Sequence, residues 1–244
     1  MHKLNFLWLP GWSYQPDMYN LVISDIDKAL GKQNHISVDF SKCQQASDIY
    51  QITSSYITSA HQKTVVVGWS MGAMAAQASV NEKSDHISLL FLISSSPAFI
   101  RNSLFPSQIK ERQLRSLEKR VINDPLRAVS DFRNSIRSKR TTGISMTSDD
   151  MPIRWNKESL LAGLDFLASY QIDLSVSKAV NIPVSILHGE EDFICPPNGA
   201  LELAKIYRKS NLSILRRIGH DIPLIEPKGL ASRIIEAILS RHLI

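Results

Sequence analysis

Apolar and polar positions fall into two rhythms along this chain. Leu4–Leu9 is an apolar run halted by Pro10-Gly11, which reads as a buried strand entering a turn. Ile36–Phe40 reads as a second strand. Asp48–Ala60 carries Ile49, Ile52, Tyr56 and Ile57 at helical spacing, and Thr64–Trp69 is a β-branched run stopped at a glycine and tryptophan. The Ala/Met-rich stretch Met71–Val80 predicts a helix, and Ile87–Ile93 predicts another strand closing in the turn Ser94–Pro97. Strands apolar on both faces that alternate with helices mark a mostly parallel sheet covered on both sides.

The alternation then stops. From Phe99 to about Tyr170 only helical periodicities are found, such as Leu126, Val129, Phe132 and Ile136, with a loop over Thr141–Pro152. It resumes with a strand at Val184–Leu187, a helix over Asn198–Arg208, a strand at Leu212–Leu215 and a last helix from about Pro227 to His242. In that helix Leu230, Ile234, Ile235, Ile238 and Leu239 form one stripe. The expected organisation is one domain, an α/β core of residues 1–98 and 171–244 with a helical cap of 99–170 inserted between strands.

Length and composition agree with this picture. A single core can still grow at 244 residues, and 43% hydrophobic with 21% charged residues excludes disordered and disulfide-scaffold classes. Phe6–Leu9 is too short for a signal peptide core or a membrane span, so a cytosolic location is expected, with Cys43 and Cys195 as free thiols. The net charge of +5 is unevenly placed. Arg101–Lys157 holds 9 arginines and 4 lysines against 6 acids, a net of +7, so the rest of the chain sums to −2. The basic balance belongs to the helical insertion.

Gly68-Trp69-Ser70-Met71-Gly72 lies between a predicted strand and a predicted helix. A serine there sits on a tight strand-to-helix turn, which needs small residues at both ends and lifts the hydroxyl out at the sheet's carboxyl edge. The first N–H groups of the following helix then aim at the reacting centre. A serine hydroxyl is a poor nucleophile until a base takes its proton, so this reading requires a histidine and an acid later in the chain. His220 follows Gly219 in the last connection before the final helix, and Asp192 follows the strand Val184–Leu187 in Gly189-Glu190-Glu191-Asp192. The candidate catalytic set is Ser70, Asp192 and His220, with Glu190 and Glu191 as rivals for the acid. The remaining histidines, His188 among them, are expected in surface or packing roles, and Ser94, Ser95 and Ser96 as turn residues lining the site. The candidate oxyanion donors are the backbone N–H groups of Trp12, after the first strand, and Met71. Neither cysteine nor any histidine–acid group has metal-ligand spacing, so neither metal nor cofactor is expected.

These residues resemble the α/β-hydrolase superfamily along nearly the whole chain. Within it, Gly11-Trp12, Gly68–Gly72, Ser95-Ser96-Pro97, Gly189–Asp192 and Gly219-His220 resemble the pimeloyl-acyl-carrier-protein methyl ester esterases of biotin synthesis, the BioH type. The resemblance implies hydrolysis of a methyl ester on a carrier-bound pimeloyl chain, with Trp12 and Trp69 touching substrate. It also supplies a reason for the basic cap, because acyl carrier proteins are acidic. Arg112, Arg115 and Lys119 lie at helical spacing, as do Arg133, Arg137 and Arg140 if their helix runs on, and these are the candidate docking residues. A monomer without nucleic-acid or membrane partners is expected. The chain departs from that family at Pro10, where histidine is usual, in lacking the leading hairpin, and in the absence of a glycine-rich turn after Asp39. Other readings on this scaffold are a general short-chain carboxylesterase, a thioesterase, or a lyase of menaquinone synthesis. A non-catalytic ligand-binding relative is the reading from a different class.

Overall fold

Side-chain parity explains why the apolar runs become strands. The computed structural model describes residues 3–59, 64–80, 86–106, 108–137, 151–175 and 181–243. Asn5–Leu9 (β1), Asn34–Ser37 (β2), Thr64–Trp69 (β3), Ile87–Ile93 (β4), Val184–Gly189 (β5) and Ser210–Leu215 (β6) form one sheet in the order β2-β1-β3-β4-β5-β6. Every neighbouring pair is parallel. Alternate residues point to opposite faces. Phe6, Trp8, Val65, Val67, Leu89 and Phe91 therefore enter one core, while Leu7, Leu9, Val66, Leu90, Leu92 and Ile186 enter the other.

Helices cover both faces. Asn20–Leu30 (α1) buries Val22 and Ile26 in the first core. Ala46–Ser59 (α2) and Met71–Ser79 (α3) pack on the second. Between β4 and β5 come Glu111–Asn123 (α4), Pro125–Ser135 (α5) and Lys157–Ser169 (α6). That stretch leaves and rejoins the sheet at one place, because Ala98 bridges Gln171 and the Ile172 N–H donates to Pro97 O at 2.7 Å. Asn198–Ile206 (α7) joins the α2 and α3 side, and Ile222–Ile225 (α8) with Pro227–Leu239 (α9) joins α1.

From β1 the chain turns one way to lay down β2 and the other way to lay down β3. The connections at the carboxyl ends of β1 and β3 therefore diverge, the place where open parallel sheets bind ligands. Pro10–Trp12 and Ser70 lie in those two connections.

Strand β2 and helix α1 depart most from the sequence expectation, while β5 runs two residues further at its carboxyl end and β6 starts two residues earlier. The second strand lies at 34–37 rather than 36–40, because the chain leaves the sheet as soon as Asp39 caps the Ser41 N–H at 2.9 Å and Phe40–Lys42 closes a 3-10 turn. The sequence pattern does not predict helix α1, because its apolar stripe is narrow, with Ser24, Asp25, Asp27 and Lys28 crowding the other positions. Among the described residues no helix is long and apolar enough to cross a membrane.

Candidate active site

The turn after β3 explains the two glycines around Ser70. Ser70 adopts φ 54° and ψ −120°, a left-handed conformation that an L-residue holds only when its surroundings impose it. Its N–H donates to Ile93 O at 2.9 Å, tying the turn to β4. A Cβ on Gly68 would lie 2.6 Å from Ala73 Cα, and one on Gly72 would lie 2.2 Å from Leu9 O. Both contacts are with backbone, so neither position tolerates a side chain. The second also shows that α3 begins directly against the end of β1.

Three residues far apart in the chain meet at this turn. His220 Nε2 lies 2.8 Å from Ser70 Oγ, and His220 Nδ1 lies 2.8 Å from Asp192 Oδ2. All three are buried, with Ser70 at 6% exposure. Asp192 also accepts N–H bonds on Oδ1 from Ile194 at 2.9 Å and Cys195 at 2.8 Å. Burial by itself would raise the pKa of this carboxyl. The attraction to His220 and the hydrogen bonds from His188 and His220 outweigh it and hold Asp192 well below the usual carboxylate range. The rival Glu190 instead accepts the Arg217 N–H at 3.2 Å, and Glu191 lines a cavity beside Gly219.

His188 was expected in a surface or packing role. It is fully buried at the end of β5, with Nε2 2.7 Å from Cys195 O and 3.3 Å from Asp192 Oδ2. A carbonyl can only accept, so Nε2 carries the proton, while Nδ1 finds no partner among the described residues. The alternation Val184, Ile186, His188 was the available signal, since it places His188 on an inward-facing position of β5.

Trp69, which the resemblance sets against substrate, is 1% exposed. Its indole N–H donates to His220 O at 2.8 Å, and its ring packs where a Gly11 side chain would otherwise stand. Ser94 Oγ donates to the same carbonyl at 3.3 Å. Ser95 Oγ accepts from Gln77 at 2.8 Å and Ser96 Oγ donates to Ala98 O at 2.6 Å, so two of these serines brace the turn after β4. Trp12 is also buried, its indole donating to Leu160 O at 2.9 Å.

Trp12 and Met71 are brought side by side. A Cβ on Gly163 of α6 would lie 2.5 Å from Trp12 Cδ1 and 3.3 Å from Met71 Sδ. Met71 is the first residue of α3, so its N–H has no acceptor four residues back within the helix. Beside His220, a cavity of about 190 Å³ is lined by Ile136, Arg137, Phe193, Ile194 and Gly219, with Phe193 80% exposed at its edge.

The basic residues of the insertion separate. Arg112, Arg115 and Lys119 are exposed on α4, where Arg115 pairs with Glu118 at 2.9 Å and Glu111 at 3.4 Å. Arg133 does not join them on the surface. It is 2% exposed, its guanidinium donating to Ser13 O and to Met151 O, the latter at 2.7 Å, and lying 4.5 Å over the Tyr14 ring. Helix α5 ends at Ser135, so Arg137, exposed, does not continue the face of Arg133. Arg140 lies outside the described residues.

A serine on a left-handed strand-to-helix turn, hydrogen-bonded through histidine to an acid at the carboxyl edge of a parallel sheet, defines the α/β-hydrolase class. Residues 31–228 match the family model of the serine aminopeptidases S33, and the chain belongs to this family of serine hydrolases. A pimeloyl-[acyl-carrier protein] methyl ester esterase of Vibrio cholerae is 24% identical over 202 residues, covering 79% of this chain and 77% of that protein. The monoacylglycerol lipase abhd6-A of Xenopus laevis is 26% identical, covering 92% of this chain and 69% of that protein. Among solved structures, an esterase of Exiguobacterium antarcticum superposes with a TM-score of 0.84 at 15% identity, over 96% of this chain and 91% of the other. All three are named as carboxylic ester hydrolases.

Proposed function

We propose that this enzyme hydrolyses a carboxylic ester through an acyl-enzyme on Ser70, and that its substrate is the methyl ester of a pimeloyl chain carried on acyl carrier protein. The hydrogen-bonded line from Ser70 Oγ through His220 to Asp192, with both contacts at 2.8 Å, carries the first part.

In the first step Ser70 Oγ attacks the ester carbonyl while His220 Nε2 takes the hydroxyl proton. Asp192, ionised and held by two backbone N–H groups, keeps Nδ1 protonated and stabilises the imidazolium. The Trp12 and Met71 N–H groups receive the oxyanion. The imidazolium then protonates the departing methoxide, and methanol leaves. Water, deprotonated by His220, attacks the acyl-serine, and the carboxylic acid product departs as Ser70 regains its proton.

The substrate assignment is supported by the methyl ester esterases among the relatives and by the exposed cations of α4. In this reading residues 99–170 are a cap under which the acyl chain threads, and Arg112, Arg115, Lys119 and Arg137 face an acidic carrier.

The test is methanol release from pimeloyl-acyl-carrier-protein methyl ester by the protein and by Ser70→Ala, beside p-nitrophenyl esters of graded length. Methanol from the carrier-linked ester, abolished in Ser70→Ala, is expected. Turnover of free esters with no methanol from the carrier-linked one would make the enzyme a general carboxylesterase. Failure of a fluorophosphonate to label Ser70 in folded protein would leave a non-catalytic binding protein.

A further inference from the structure

The turn that would supply one oxyanion donor is held from outside the sheet. Gly11–Tyr14 closes on itself through the Tyr14 N–H to Gly11 O bond at 3.1 Å, yet Ser13 within it stands at φ 67°. A serine keeps that left-handed conformation only where its surroundings over-determine it.

Those surroundings come from the segment between β4 and β5. Arg133 of α5 donates to Ser13 O and approaches Ser13 Oγ at 3.5 Å, while its guanidinium lies over the Tyr14 ring. Trp155 Nε1 donates to Tyr14 O at 3.1 Å. Trp12 Nε1 donates to Leu160 O at 2.9 Å, and the missing side chain of Gly163 makes room for the Trp12 ring. Each of the three consecutive residues Trp12, Ser13 and Tyr14 is thus gripped by a different point of the helical segment. Arg133 is the central grip. A cation buried to this degree is costly unless its hydrogen bonds are met, and here they are met by backbone carbonyls on either side of it.

We propose that Arg133 is a positioning residue for ester hydrolysis: reaching from α5, it fixes the Trp12–Tyr14 turn in the geometry that presents the Trp12 N–H to the oxyanion. The helical segment then completes the catalytic site as well as covering it. The proposal rests on the reading of Ser70 as nucleophile.

The experiment uses the full chain and its variants Arg133→Met, Arg133→Lys and Val129→Ala. The last removes buried volume from the same helix and leaves the Arg133 side chain in place. Steady-state hydrolysis of p-nitrophenyl acetate, thermal melting and inhibition by a trifluoromethyl ketone are measured, the ketone forming an oxyanion when Ser70 attacks it. Arg133→Met should lower kcat about 10- to 100-fold with KM within about threefold, the size of loss that a small misplacement of a reacting group produces. Ketone affinity should fall by the same factor as kcat/KM, and the pH profile should keep its shape because His220 and Asp192 are untouched. Arg133→Lys, which keeps the charge and loses the planar fork, should fall between Arg133→Met and the parent. Val129→Ala should melt lower with kcat/KM within about twofold of the parent.

The proposal is overturned if the Arg133 variants, assayed well below their melting temperatures, retain kcat/KM within about twofold. It is equally overturned if their loss of kcat/KM has no counterpart in ketone affinity, or if Val129→Ala loses as much. Should Arg133→Met not fold, Arg133→Lys decides. If the parent protein neither turns over ester nor labels with fluorophosphonate, the nucleophile reading has failed and this one falls with it; full parental activity with unaffected Arg133 variants sinks this one alone.

Discussion

Replacing Trp69 with phenylalanine distinguishes a strut from a substrate contact. The indole is 1% exposed, stacks edge-on to Tyr14 with ring centroids 4.8 Å apart, and donates to His220 O at 2.8 Å. Phenylalanine keeps the six-membered ring and removes the N–H. The carbonyl is left with the longer bond from Ser94 at 3.3 Å, a loss worth about 1–2 kcal/mol for a buried acceptor. The missing part of the ring leaves a small void worth about 1–2 kcal/mol more. A domain of this size loses about 3 °C per kcal/mol, so melting should fall by about 6–12 °C. The connection carrying His220 also loses a restraint, and kcat should drop about 10- to 100-fold. KM should stay level across p-nitrophenyl esters from acetate to octanoate if the ring acts through its contacts with Tyr14 and the His220 carbonyl. Thermal melts by circular dichroism and kinetics 20 °C or more below the midpoint, as an approximate margin, read both effects. An unchanged melting temperature with KM rising as the chain lengthens would refute the reasoning and make Trp69 a wall of the acyl pocket.

Asp192→Asn should lower kcat about 10⁴-fold with KM little changed, because the N–H groups of Ile194 and Cys195 hold the amide oxygen and turn the NH₂ toward His220 Nδ1, selecting the tautomer that cannot accept the serine proton; steady-state kinetics checks it. Because the Asp192 pKa is depressed in the folded protein, its contribution to stability is fully present above the ordinary value of 3.8 and is lost as pH falls from there through the depressed value. Urea melts of the parent and Asp192→Asn between pH 7 and pH 3 should therefore keep a constant gap down to about pH 4 and begin to draw together below 3.8, without meeting at pH 3. Gly163→Ala should cut kcat about 10- to 100-fold, since its Cβ would lie 2.5 Å from Trp12 Cδ1 and push the Trp12 ring; kinetics within twofold of the parent would contradict that.

The sheet was legible because both faces are buried, which leaves each strand a continuous apolar run, and because the Ser70 turn has a local requirement that the two glycines advertise. Asp192 and His220 followed from chain order, since each lies in the connection after a readable strand. The roles of the bulky and charged neighbours were not legible. For Trp69 the resemblance offers a substrate contact, and only the carbonyl of residue 220, 151 positions away, discloses the hydrogen bond it makes. By spacing Arg133 groups with Arg137 and Arg140, although Val129 four residues before it and Ile136 three after it are both buried, so the apolar stripe runs through it. Charge counting locates a basic segment without saying which cations face inward. The sequence leaves His188 between a surface and a packing role for a related reason: the predicted strand ends at Leu187, one residue before parity places it inside.

The hydrogen bonds gripping Trp12, Ser13 and Tyr14 span 148, 120 and 141 residues of chain. Contacts of such range form only after the intervening loop has been closed, whereas α3 and its flanking strands can assemble from neighbouring sequence. During refolding, circular dichroism should therefore recover ahead of ester turnover. During synthesis the turn at Trp12–Tyr14 must therefore wait until residue 160 has emerged before all three of its grips can form.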